Sequence, residues 1–224
     1  MLDHLEISMD YTHAGSEYAV GCHFADLPCP SSNVGLGRQF FLFRDPRDTA
    51  VSGYFQKIKR KRHTDFEGGI AEFIRDPRYG VEKVIRFNLA WLEFYMDLGD
   101  DMHRGMSYER LRESPVQSLA ALYRYLAGRD PAAWELLEDV VEKTSFSKMQ
   151  AQERSGELGV KYGSILTPAD VSDPESMKVR KGKVGGFVDY MSDDDIAFCD
   201  ELLSRLRYQE RLNGCAPVLL LPAG

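Results

Sequence analysis

No stretch of this 224-residue chain approaches the roughly eighteen consecutive apolar residues that a membrane-crossing helix requires. The tail Val218-Leu219-Leu220-Leu221 is far too short and reads as cover for a core edge. No basic region followed by an apolar stretch opens the chain, so a signal peptide is not indicated. Cysteine is scarce: Cys22, Cys29, Cys199 and Cys215 are scattered and fit no zinc spacing. They read as reduced thiols of a cytoplasmic protein, and no metal is expected. Positive charge is also short, with 28 Lys and Arg against 35 Asp and Glu and a net charge of −7. That balance argues against general nucleic-acid binding, so any anionic ligand must be held by a local basic cluster. Repeats and low-complexity segments are absent.

What is present suits one domain over residues 1–224, with 43% hydrophobic and 28% charged residues. Met1 to Leu5 resembles the last turn of a helix, Ile7 to Tyr11 a short strand, and Asp26 to Gly37 a loop. The run Phe40-Phe41-Leu42-Phe43 is continuous rather than alternating, as in a strand buried on both faces of a parallel sheet. A helix follows to about Arg62, with Asp45 as N-cap, Pro46 at its first position and Asp48 in its first turn. Val84, Phe87, Trp91, Tyr95 and Leu98 recur at helical steps, and Gly105 to Tyr108 reads as a second short strand. Further helices are expected over Pro115 to Ala127, Pro131 to Lys143 and, capped by Ser192, Asp193 to Arg207. The region from Glu153 to Gly186 reads as polar and Gly-rich. Few strands among many helices predict an α/β fold, a small parallel sheet flanked by helices.

In such sheets ligands sit beyond the carboxyl ends of the strands. Arg44 occupies that position, beside the unpaired amides that open the next helix, and Ser52 lies early in the same helix. The pair can hold an anion; alternatively Arg44 pairs with Asp45 or Asp48 and Ser52 faces solvent. Arg180, Lys181, Gly182 and Gly185 combine cations with backbone that can approach a phosphate closely, or form a flexible surface loop. The basic run Lys57 to Arg62 suits the C-terminal end of the first complete helix as a solvated face, or receives an acidic ligand. Trp91 and Trp134 read as core.

The stretch "FLFRDPRDTAVSGYF" resembles the 3′-phosphate-binding segment of sulfotransferases that use PAPS (3′-phosphoadenosine 5′-phosphosulfate). "RKGKVGGF" is similar to the family's second 3′-phosphate loop, "TSFSKM" to its adenine-side segment, and Tyr108 in "YERLRESP" to its tyrosine near adenine. The resemblance runs over roughly residues 40 to 190. It implies a P-loop-like fold, with Arg44, Ser52, Arg180, Lys181 and Gly182 on the 3′-phosphate and Tyr108, Thr144 and Phe146 around adenine. It further implies sulfuryl transfer from PAPS to a hydroxyl of a small-molecule or glycan acceptor, releasing adenosine 3′,5′-bisphosphate. Where the family commonly has Asp-Trp after the second glycine, Gly186-Phe187 stands here, which weakens any carry-over of the family's dimer contact.

The family's opening strand and 5′-phosphosulfate loop have no counterpart, since Gly35-Leu36-Gly37 precedes a strand instead of following one. The expectation is therefore a chain incomplete at its N-terminus, inactive or very weak alone. The alternative is a degenerate, non-catalytic module that binds adenosine bisphosphate or a protein partner. For the base, the family's histidine at a strand end is matched by His13 in "ISMDYTHAGS", with His23 in "CHFADLP" as its rival.

Overall fold

The structure is a computed structural model and describes residues 1, 5, 22–27, 37–60, 65–162, 170 and 172–220. The apolar run forms β1, Gln39–Phe43, which pairs in parallel with β2, His103–Ser107, from Gln39 opposite His103 to Phe43 opposite Ser107. A parallel pair needs a long crossover. Among the described residues it carries three α-helices: α1 Pro46–Phe55, α2 Ile70–Arg75 and α3 Val81–Leu98. The far edge of β2 receives the C-terminal tail, where Leu220 donates its amide to the Gly105 carbonyl at 2.8 Å. Gly105 has no room for a side chain, because a Cβ there would lie 2.8 Å from a Leu92 methyl on α3.

Full burial of β1 is not observed. Phe43 is buried, but Leu42 is 46% exposed. Phe41 and Phe43 pack towards Trp91 on α3, and Phe40 towards the helices beyond β2. Among the described residues β1 has a partner strand on one edge only.

After β2 come α4 Tyr108–Glu113, α5 Pro115–Ala127 and α6 Trp134–Lys143. Trp134 is not core: it opens α6 and stays 41% exposed, whereas Trp91, mid-helix on α3, is buried. Helix runs into the polar, Gly-rich region from Glu153 onward, as α7 Phe146–Ser155 and α8 Glu157–Tyr162. Gln, Ala, Glu and Arg are good helix formers, but α7 buries only Glu153, so no apolar stripe announced it. The chain closes with α9 Asp193–Arg205 and α10 Tyr208–Gly214. Helix α9 stops two residues before the expected Arg207, which takes a left-handed φ of 51°.

Among the described residues three apolar clusters hold these elements together. One joins α1, α3 and α9 through Val51, Ile85, Leu89, Cys199 and Leu202. A second joins α5 and α6 through Leu119, Leu122, Leu137 and Val140, with Leu5 against them. The third seats β1 and the tail on α3 through Phe43, Trp91, Leu92, Tyr95 and Val218. The expected helix end at Met1 to Leu5, apart from those two residues, and the expected strand at Ile7 to Tyr11 lie outside the described residues.

Candidate nucleotide-binding site

The junction that positions the site is the end of β1. Asp45 caps α1 by accepting the Arg47 amide at 2.8 Å, and Pro46 supplies the first helical φ without needing an acceptor. Asn88 on α3 donates to the Arg44 carbonyl at 3.2 Å and to the Tyr208 hydroxyl at 3.1 Å, which fixes the Arg44 backbone. The end of α1 does not stand open for an outside anion, as the sequence reading supposed. Glu109 takes the Asp45 amide at 2.9 Å, and Asp45 and Asp48 fill the first turn.

The residues expected to meet the anion lie instead on the flank of α1, along a cavity of about 830 Å³. Arg44, Ser52, Tyr108, Thr144, Phe146, Arg180, Lys181 and Gly182 all line it, together with Gln56, Glu175 and Tyr190. Every nucleotide-site residue expected from the sequence thus meets in one place, from four separate segments. The volume falls within the range of small-molecule sites, roughly 300–1,000 Å³.

Both readings of Arg44 hold at once. Its Nη2 donates to Asp48 at 2.9 Å and to the Lys183 carbonyl at 2.7 Å, while the guanidinium lies 4.6 Å from the centre of the Tyr108 ring. Its Nε is buried without a partner among the described residues, a donor that needs an acceptor. Ser52, one turn beyond Asp48, is exposed towards the same cavity.

The loop from Lys178 to Phe187 is held at both ends. Buried Glu153 accepts the amides of Lys178 and Val179 at 2.6 and 2.7 Å, and Gln150 donates to the Val179 and Arg180 carbonyls at 3.2 Å each. At the other end Asp48 accepts the amides of Gly185 and Phe187, each at 2.9 Å. Gly182 has φ of 58°, and a Cβ on it would stand 2.4 Å from the Phe146 ring, so the ring lies directly against bare backbone. The Tyr108 hydroxyl reaches the Gly182 carbonyl at 3.5 Å. Thr144 donates its hydroxyl to the Val140 carbonyl at 2.7 Å and so faces the cavity as an acceptor.

The cations carry protein partners. Arg180 donates to Glu175 at 2.9 Å and to the Tyr190 hydroxyl, and it stacks 4.3 Å from the Phe55 ring centre. Lys181 lies 4.4 Å over Tyr190 and 3.4 Å from Asp189, and these contacts, the Tyr190 hydroxyl foremost, raise its pKa above the ordinary value. Arg180 and Lys181 are thus already engaged by Glu175 and Asp189 respectively. Lys57, expected on a solvated face, is instead buried in a π turn over Gln56–Arg60, paired with Asp65 and 4.3 Å over Tyr79. Lys59 is spent on Asp173 at 3.0 Å.

His23 sits apart from the cavity. It precedes a 3-10 turn over Phe24–Asp26, where its Nδ1 accepts the Ala25 amide at 3.1 Å. In that arrangement the neutral ring carries its proton on Nε2, and the nitrogen with a lone pair is already occupied. His13 lies outside the described residues. No His, Cys, Asp and Glu cluster able to hold a metal, and no helix long and apolar enough to cross a membrane, occurs among the described residues.

Sequence reading missed Asp48 as a ligand of the loop, and it missed Asn88, Gln150, Glu153 and Glu175 altogether. Asp48 carried a signal, since it stands four residues after Arg44 and so shares its helical flank. The others act through tertiary contacts and left none.

The sulfotransferase domain family matches residues 40–214, and the chain belongs to that family. Among solved structures it is similar to mouse sulfotransferase SULT7A1 complexed with PAP, with a TM-score of 0.58 and 18% identity over 80% of this chain. The match spans 61% of the mouse chain. At that identity the likeness establishes the fold, a mostly helical α/β arrangement around a small parallel sheet. No curated protein sequence matches the chain.

Proposed function

We propose that the cavity binds PAPS and that the chain serves transfer of its sulfuryl group to a hydroxyl of a small-molecule or glycan acceptor, leaving adenosine 3′,5′-bisphosphate. The observation that carries this is the convergence of Arg44, Ser52, Tyr108, Thr144, Phe146, Arg180, Lys181 and Gly182 on one cavity. The buried, unpartnered Nε of Arg44 and the PAP held by the mouse sulfotransferase support the same reading.

When bound, PAPS supplies an activated sulfur whose bond to the 5′-phosphate oxygen breaks as the acceptor oxygen attacks. The protein's residues do the rest. Arg44 and Ser52 hold the 3′-phosphate from α1, while Arg180, Lys181 and the Gly182 backbone hold it from the loop. For this, Arg180 and Lys181 turn from Glu175 and Asp189 to the phosphate. Phe146, Tyr108 and the Thr144 hydroxyl frame adenine. His13 accepts the acceptor's proton; for its rival His23 to do so, Nδ1 must first release the Ala25 amide. A second reading, a non-catalytic module binding adenosine bisphosphate or a protein partner, draws support from the carboxylates that already match each cation.

Calorimetry with adenosine 3′,5′-bisphosphate and adenosine 5′-monophosphate tests the site. Charge-assisted hydrogen bonds of about 1.5–3 kcal/mol each make at least a tenfold preference for the bisphosphate the expected result. Equal affinities in folded protein would remove the 3′-phosphate assignment. Transfer of label from radioactive PAPS to a panel of hydroxyl acceptors separates the two readings: turnover excludes the module.

A further inference from the structure

We propose that Asp48 is the positioning residue of the 3′-phosphate site, required for nucleotide affinity although its own charge opposes the nucleotide. The proposal rests on the nucleotide reading of the cavity. Asp48 Oδ2 accepts Arg44 Nη2 and the Gly185 amide, each at 2.9 Å, and Oδ1 accepts the Phe187 amide at 2.9 Å. Its side chain is 1% exposed. Both oxygens are thus occupied, and the carboxylate acts on a ligand through the groups it holds.

Those groups belong to the two halves of the site. Arg44 follows β1, whereas Gly185 and Phe187 lie 137 and 139 residues beyond Asp48 in the chain. Glu153 and Gln150 anchor the loop up to the Arg180 carbonyl, and Asp48 anchors it after Lys183. Between the two anchors stand the residues that meet the phosphate. Without Asp48 the Gly185 and Phe187 amides lose their acceptor, and the guanidinium of Arg44 loses the contact that aims it.

The sign of one effect separates positioning from mere proximity. A carboxylate beside a phosphate-binding arginine repels an incoming phosphate, so removing its charge strengthens anion binding if charge is all it contributes. If Asp48 positions the two halves, Asp48→Asn instead weakens binding of adenosine 3′,5′-bisphosphate. It does so selectively, because adenosine 5′-monophosphate lacks the 3′-phosphate that these halves receive. The expected result by calorimetry is a loss of at least tenfold for the bisphosphate, with the monophosphate within about twofold of wild type. Unchanged or tighter bisphosphate binding by folded Asp48→Asn, with the wild-type preference intact, overturns the role of Asp48 alone. A wild-type protein without any preference overturns the nucleotide reading and this role together. Amide exchange on the wild-type protein without nucleotide covers the case in which the variant does not fold. Slow exchange at Gly185 and Phe187 is expected, and fast exchange there with α9 protected overturns the proposal.

Discussion

At the scale of single residues, Gly182 shows what sequence reading can and cannot supply. A glycine beside Arg and Lys was legible as a place where backbone can approach a phosphate. Why alanine would fail there was not, because the obstacle is Phe146, 36 positions earlier in the chain. Gly182 has φ of 58°, and a Cβ would press into that ring at 2.4 Å. Gly182→Ala is therefore expected to cost about 1–3 kcal/mol in urea unfolding and to weaken bisphosphate binding as the ring is displaced. Restoring space with Phe146→Ala in the same chain should recover part of the stability but not the binding, since the ring proposed to frame adenine is gone. A fully stable, fully binding Gly182→Ala would mean that the loop adapts freely. Histidine assignment belongs to this scale as well. In a turnover assay on a chain supplied with the 5′-phosphosulfate loop that this sequence lacks, His13→Ala should lower the rate by about a hundred- to ten-thousand-fold and leave bisphosphate affinity alone, whereas Arg44→Ala should lose affinity first. His23→Ala should do much less; a collapse of turnover there would transfer the role of base to His23.

At the scale of elements, helices were legible where their ends or their apolar stripes announced them. Asp45-Pro46 opened α1, Ser192 opened α9, and the apolar recurrence along α3 marked that helix. Helices α7 and α8 carried neither signal, and the contribution of α7 to the site, the grip of Glu153 and Gln150 on the loop, is tertiary. Helix α9 allows a test with pH. Ser192 accepts the Asp195 amide while Asp195 takes the Ser192 amide and hydroxyl, and Arg75 on α2 completes an ion pair with the same carboxylate. Burial alone would push the Asp195 carboxyl up; the hydrogen bonds from Arg75 and Ser192 outweigh it, and the pKa is lowered below 3.8. A depressed carboxyl adds stability above its unfolded pKa and loses it as pH falls through the folded value. Asp195→Asn should thus cost about 2 kcal/mol by urea unfolding at pH 7 and nearly as much at pH 5. The gap between variant and wild type should narrow below about pH 4. A gap that stays constant through that range would mean that packing, and not the ionised carboxylate, makes the contribution.

At the scale of the whole molecule, the cavity is lined by residues of two apolar clusters that otherwise serve different parts of the fold. Val51 comes from the cluster of α1, α3 and α9, and Val141 packs against that of α5 and α6. The α/β class and the small parallel sheet were legible from a few short strands among a surplus of helices, but which helices share a cluster depends on contacts between distant segments. A nucleotide seated in the cavity touches both bodies and so ties their unfolding together. A ligand that binds only the folded state at a hundred times its Kd adds about 2.7 kcal/mol. For a domain of this size each kcal/mol moves Tm by roughly 2–4 °C. Adenosine 3′,5′-bisphosphate at that level should raise Tm by about 5–10 °C, and the melting curve should steepen as the two clusters come apart in one step. Adenosine 5′-monophosphate at the same concentration should move Tm much less, and Arg44→Ala should erase the difference between the two nucleotides. A scanning calorimetry trace in which bisphosphate shifts only one of two separate transitions would show that the nucleotide engages a single cluster, and the cavity would then have to be divided between them.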